Sequence, residues 1–115
     1  MVLNPKGGCG KSTLATNIAS NFVSQGAAVA LADYDPQRSS LDWLARRPDN
    51  RPAIAGVAGY ESGLRHAPRN ADFIIIDAPA RSHGKELVDL VNHAETIVVP
   101  VLPSTIDIQA TANFL

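Results

Sequence analysis

Near-continuous apolar runs alternate along the chain with segments whose apolar residues recur every three or four positions. The runs are a short Val2-Leu3-Asn4, then AAVALAD at 27–33, a weaker AIAGVAG at 53–59, DFIIID at 72–77 and ETIVVPV at 95–101. Unbroken apolar runs of this length suit strands buried on both faces. Between them, Leu14, Ile18, Phe22 and Val23, with small Ala15 and Ala19 beside them, predict a helix over 11–25 that Gly26 ends. SSLDWLARR at 39–47 predicts a short helix capped by Ser39 or Ser40. Residues 60–67 have room for one or two helical turns. Leu87, Leu90 and Val91 share one face of a helix over 84–94, and Pro103-Ser104 opens a last helix.

Strands alternating with helices predict an α/β fold: a parallel sheet with helices on both faces and right-handed crossovers. In such sheets ligands bind beyond the carboxyl ends of the strands. Residues 5–13, 33–37 and 77–79, the most distinctive stretches, all fall at such ends.

The composition is that of an ordinary globular domain. The chain has 115 residues, 45% hydrophobic and 18% charged, with a formal net charge of -1. This length fits a single domain, 1–115. The near-neutral balance gives no global basic field for nucleic acid. One cysteine, Cys9, excludes an internal disulfide and points to a cytoplasmic setting. No apolar run approaches the roughly 20 residues of a membrane span. His66, His83 and His93 show no metal-ligand spacing.

The chemistry begins at NPKGGCGKST, residues 4–13, between the first strand and the first helix. A glycine loop there turns backbone N–H groups toward phosphate oxygens, and the helix N-terminus adds partial positive charge. Lys11 would reach the terminal phosphates and Ser12 would bind Mg²⁺. Pro5 stands where the strict P-loop pattern has its first glycine. The dinucleotide pattern G-x-G-x-x-G also fails, because Thr13 takes its third glycine position, although Asp33 lies about where that fold keeps its ribose carboxylate. Lys-Ser after the last glycine decides for phosphates and metal.

KGGCGKST resembles the deviant Walker A motif, K-G-G-x-G-K-[ST], of the ParA/MinD family of ATPases, and the later motifs follow in the family's order. The resemblance implies a P-loop NTPase-type fold that binds ATP and Mg²⁺ through Lys6, Gly7, Gly8, Cys9, Gly10, Lys11, Ser12 and Thr13. Lys6 matches the signature lysine, which crosses a nucleotide-sandwich dimer to the partner subunit's phosphates, whereas Lys11 serves its own nucleotide. DYDPQ at 33–37 is similar to switch I, which makes Asp35 the residue that positions the attacking water and Asp33 an organiser of the Mg²⁺ shell. FIIIDAP at 73–79 resembles a Walker B strand, with Asp77 holding Mg²⁺ through a water. Lys6, Lys11 and Asp35 would thus be catalytic, and Ser12, Asp33 and Asp77 the metal set.

The match covers essentially the whole chain and is closest to short ParA-type partition ATPases. Family members run well beyond residue 115, so this chain is expected to be the N-terminal part of the family domain. The implied function is an ATP-driven dimerisation switch that partitions or positions plasmid, chromosome or protein cargo. Its implied partners are a second copy, a ParB-like or adaptor activator, and non-specific DNA through the C-terminal part. The alternatives are a MinD-like membrane-associated ATPase, a metabolic P-loop enzyme of the same fold and a pseudo-ATPase. Paired cluster cysteines are absent, which argues against an iron protein, and Lys6 argues against a ligase.

Overall fold

The computed structural model describes residues 1–3, 11–79, 84–100, 108–109 and 112–113. Helix α1 spans Lys11–Ser24, strand β1 Val29–Asp33, helix α2 Ser39–Ala45, strand β2 Ala55–Ala58, helix α3 Gly59–Ser62, strand β3 Phe73–Asp77 and helix α4 Gly84–His93. The strands form a parallel sheet in the order β2-β1-β3. Val2 extends it beyond β3 by parallel bridges to Asp77 on one side and Val98 on the other. Its N–H donates to the Ile76 carbonyl at 2.8 Å, its carbonyl accepts from the Ala78 N–H, and the Leu3 N–H donates to the Val98 carbonyl at 2.9 Å. The expected first strand is therefore present as a ladder position between β3 and the 95–101 run. Among the described residues, that run pairs only at Val98. The expected helix from Pro103 falls largely outside the described residues.

β1 is the central strand, and every one of its residues is buried. Period-2 alternation splits its side chains between two layers. Val29 and Leu31 join Val2, Ala15, Ala19, Val23 and Ile75 beneath α1; Ala30 and Ala32 join Val57 and Ile76 on the opposite face. Ala15 and Ala19 are fully buried, so their small side chains let α1 lie close against the sheet. The rings of Phe22 and Phe73 stack at 4.1 Å and 6° across the open side of this contact, an arrangement worth about 1 kcal/mol beyond area burial.

α1 ends as expected. Gly26 takes φ 94, the Ala27 N–H bonds the Phe22 carbonyl, and the Gly26 N–H bonds the Val23 carbonyl. That pair of bonds is the Schellman pattern, which only a left-handed residue closes. On the opposite face Gly59 opens α3 hard against Tyr34; a Cβ there would lie 2.5 Å from the Tyr34 ring. Gly59→Ala should therefore destabilise the fold by about 1–3 kcal/mol through overpacking, measured by urea unfolding. The same substitution in a Tyr34→Ala background should cost much less.

Candidate functional site

Asp33 and Asp77 close β1 and β3, and the two residues are direct register partners. Alternation along both strands turns their side chains to the face that α1 covers. Asp33 is 0% exposed and Asp77 1%. A buried carboxylate is costly unless hydrogen-bonded or paired, so the partners of these two groups define the site.

Asp77 is held by two hydroxyls. Ser12 Oγ, in the first turn of α1, donates to its Oδ2 at 2.7 Å, and Ser40 Oγ, in the first turn of α2, donates to the same oxygen at 2.5 Å. Asp33 is held by main chain. Its Oδ2 accepts from the N–H groups of Ser40 at 3.0 Å and Leu41 at 3.2 Å, and its Oδ1 from the Asp35 N–H at 3.0 Å. Burial pushes the Asp33 carboxyl above the usual carboxylate range, and the charge of Asp77 adds to that. The three backbone N–H bonds oppose the shift.

These bonds correct the expected cap of α2. Neither Ser39 nor Ser40 caps it. The cap position is Arg38, in the left-handed region at φ 62, and it makes no side-chain cap bond. Asp33 takes over the cap from the end of β1, because its carboxylate reaches the two N–H groups that a capping side chain would satisfy. Ser40 is thereby freed to turn its hydroxyl inward, where it is fully buried.

Lys11 opens α1 and is only 8% exposed, with no carboxylate partner among the described residues. A buried lysine in the first turn of a helix, beside N–H groups without intrahelical acceptors, suits an anion. Ser12 lies next to it. Its proton goes to Asp77, which leaves the oxygen lone pairs free for a hard cation. The donor set of one serine oxygen and one carboxylate fits magnesium. Asp35 sits on the loop between β1 and α2, where its Oδ1 accepts from the Gln37 N–H at 2.9 Å in a tight Asx turn. Thr13 is exposed on α1. Lys6, Gly7, Gly8, Cys9 and Gly10 lie outside the described residues.

The structure thus gathers Ser12, Asp33 and Asp77 at one edge, with Lys11 beside Ser12 in the same helical turn and Asp35 tied to Asp33. Ser40 was not anticipated as a site residue. The one available signal was a pair of serines where a single cap suffices. Trp43 packs against the core under α1, and the Arg47 guanidinium lies over its ring at 5.3 Å.

A buried lysine and a serine opening a helix, with that serine bonded to a strand-end aspartate in a parallel sheet, define a nucleotide-binding α/β domain of the P-loop type. The chain belongs to the CobQ/CobB/MinD/ParA nucleotide binding domain family, which matches residues 1–113. The resemblance to the ParA/MinD ATPases is thereby confirmed. The maintenance of carboxysome distribution protein A of Halothiobacillus neapolitanus is 33% identical over 97% of this chain and 54% of its own length. The chromosome-partitioning ATPase Soj of Thermus thermophilus is 28% identical over 97% of this chain and 57% of its own. The chain therefore spans about half the length of these relatives. Among solved structures, cobyrinic acid a,c-diamide synthase from Mycobacterium smegmatis, with bound ADP and magnesium, superposes with a TM-score of 0.72 at 24% identity, covering 98% of this chain and 63% of that one. That likeness shows the shared fold.

If Asp33 is the cap of α2, Asp33→Ala should lower stability by about 1–3 kcal/mol, because a helix cap is lost and buried N–H groups are left without acceptors. Urea unfolding checks this. A variant as stable as wild type would mean that α2 needs no cap from β1.

Proposed function

We propose that this chain is the nucleotide-binding part of a ParA-like ATPase that positions a cargo by an ATP-dependent dimerisation switch. The observation that carries the reading is the Ser12–Asp77 hydrogen bond beside buried Lys11. It joins a phosphate-binding helix turn to a strand-end carboxylate, as metal-dependent phosphoryl transfer requires.

In this reading the α1 N-terminus and Lys11 bind the terminal phosphates of ATP, with the 6–10 loop around them. Ser12 and Asp77 would hold Mg²⁺, Asp77 through a water. Asp33 would act behind them, ordering the Asp35 turn and the helix that frame the metal's water shell. When bound, magnesium supplies positive charge to the phosphate oxygens. Asp35 orients the attacking water, a role that rests on positioning and needs no raised pKa. Lys6 reaches the phosphates of a second copy. An activating partner protein resets the switch in the cytoplasm, and DNA binding would use residues of the longer relatives. The relatives' names supply the class of cargo: a chromosome for the partitioning ATPase Soj, and carboxysomes for the carboxysome-distribution protein. No helix among the described residues is long and apolar enough to cross a membrane.

Two variants and one mass measurement test the reading. Lys11→Ala should abolish ATP binding by titration calorimetry; retained tight binding would sink the assignment of the phosphate site. Asp35→Ala should keep binding but lose turnover by two orders of magnitude or more, and normal phosphate release would remove it from that role. The solution mass should double with Mg²⁺ and a slowly hydrolysed ATP analogue, but not with ADP. Lys6→Ala should stay monomeric throughout.

A further inference from the structure

We infer that Ser40 is a positioning residue for Asp77: its buried hydroxyl fixes the metal-side carboxylate and ties it to the helix that follows the Asp35 turn. This rests on the nucleotide–magnesium reading above.

A serine in the first turn of a helix ordinarily caps it, bonds a nearby carbonyl or faces water. Ser40 does none of these. It is 0% exposed, and its Oγ crosses to a carboxylate 37 residues away in sequence. Its main-chain N–H meanwhile donates to Asp33 Oδ2. Among the described residues, Ser40 alone donates to both buried carboxylates. Adjacent strands lie about 4.8 Å apart, so two in-register aspartates place like charges side by side. Donors lying between them are what make that arrangement tolerable.

The choice of oxygen matters. Ser12 from α1 and Ser40 from α2 both donate to Asp77 Oδ2, and among the described residues no hydrogen bond reaches Oδ1. The terminal torsion of an aspartate is soft. Two donors converging on one oxygen fix it and present the other to the site. α2 begins within four residues of Asp35, so the same bond makes the orientation of Asp77 depend on where the Asp35 segment sits. A cap alone would leave these two groups independent.

The test separates positioning from mere packing. ATP binding to the full chain is titrated in Mg²⁺ and in EDTA for wild type, Ser40→Ala and Ser40→Cys. Both variants keep the backbone N–H to Asp33. The cysteine also keeps an atom at the Oγ position and replaces a strong donor by a weak one, so it carries the test should the alanine variant fold poorly. The Mg²⁺-dependent gain in affinity should fall about 10-fold or more, as for outer-shell partners of metal ligands generally. Affinity in EDTA should stay within about twofold of wild type. An unchanged Mg²⁺ gain, or equal losses in Mg²⁺ and EDTA, would overturn the inference and leave Ser40 a packing residue. A wild-type chain that binds ATP no better with Mg²⁺ than without would instead overturn the nucleotide–magnesium reading itself, and this inference with it.

Discussion

Two carboxylates, Asp33 and Asp77, end adjacent parallel strands in register and are almost completely shielded from water. Much of this edge of the molecule follows from that constraint. Neither charge is tolerable there unpartnered, and the sheet supplies no donors of its own to their side chains. Among the described residues the donors come from two helix N-termini and from the Asp35 N–H on the loop between β1 and α2. α1 gives the Ser12 hydroxyl, and α2 gives the Ser40 hydroxyl with the N–H groups of Ser40 and Leu41. α2 is docked through its cap as well as its apolar side, and the cap belongs to the strand.

The same arrangement makes the site. A helix N-terminus that satisfies a buried acid also leaves its first N–H groups without intrahelical acceptors, with Lys11 in the same turn. The small Ala15 and Ala19 contacts bring α1 close enough for Ser12 to reach Asp77. Val2 is bridged to Asp77 itself and to Val98, so the start of the chain is fixed beside the end of β3. Fold stability and site geometry therefore share their bonds. The upward push on the Asp33 carboxyl is a local cost of keeping this cluster together.

Much of this was legible in the sequence. Buried strands read as apolar runs, and β1 and β3 lie within the expected 27–33 and 72–77. α1 and its glycine stop followed from periodicity, because a 14-residue amphipathic segment overdetermines a helix. The carboxyl-end placement of the 11–13, 33–35 and 77 segments followed from the parallel topology. The α2 cap was misread for a physical reason. Local sequence favours a serine at the helix start, but the winning acceptor, Asp33, is brought in by the chain turning back across Pro36 and Arg38. The tolerance of φ 62 at Arg38 likewise depends on that turn. Ser40 was missed because its partner is 37 residues away, across a strand pairing that no local pattern encodes. Among the described residues the expected 95–101 strand pairs at one bridge, Val98, since an apolar run carries no information about how much of it pairs.

The most direct test of the central claim is a crystal structure of the full chain with Mg²⁺ and a non-hydrolysable ATP analogue. The account predicts phosphates at the α1 N-terminus beside Lys11 and Ser12 Oγ on the metal. Asp77 should still accept the Ser12 and Ser40 protons while its other oxygen faces a metal-bound water. Nucleotide bound away from α1, or a metal that contacts neither Ser12 nor the water shell of Asp77, would contradict it.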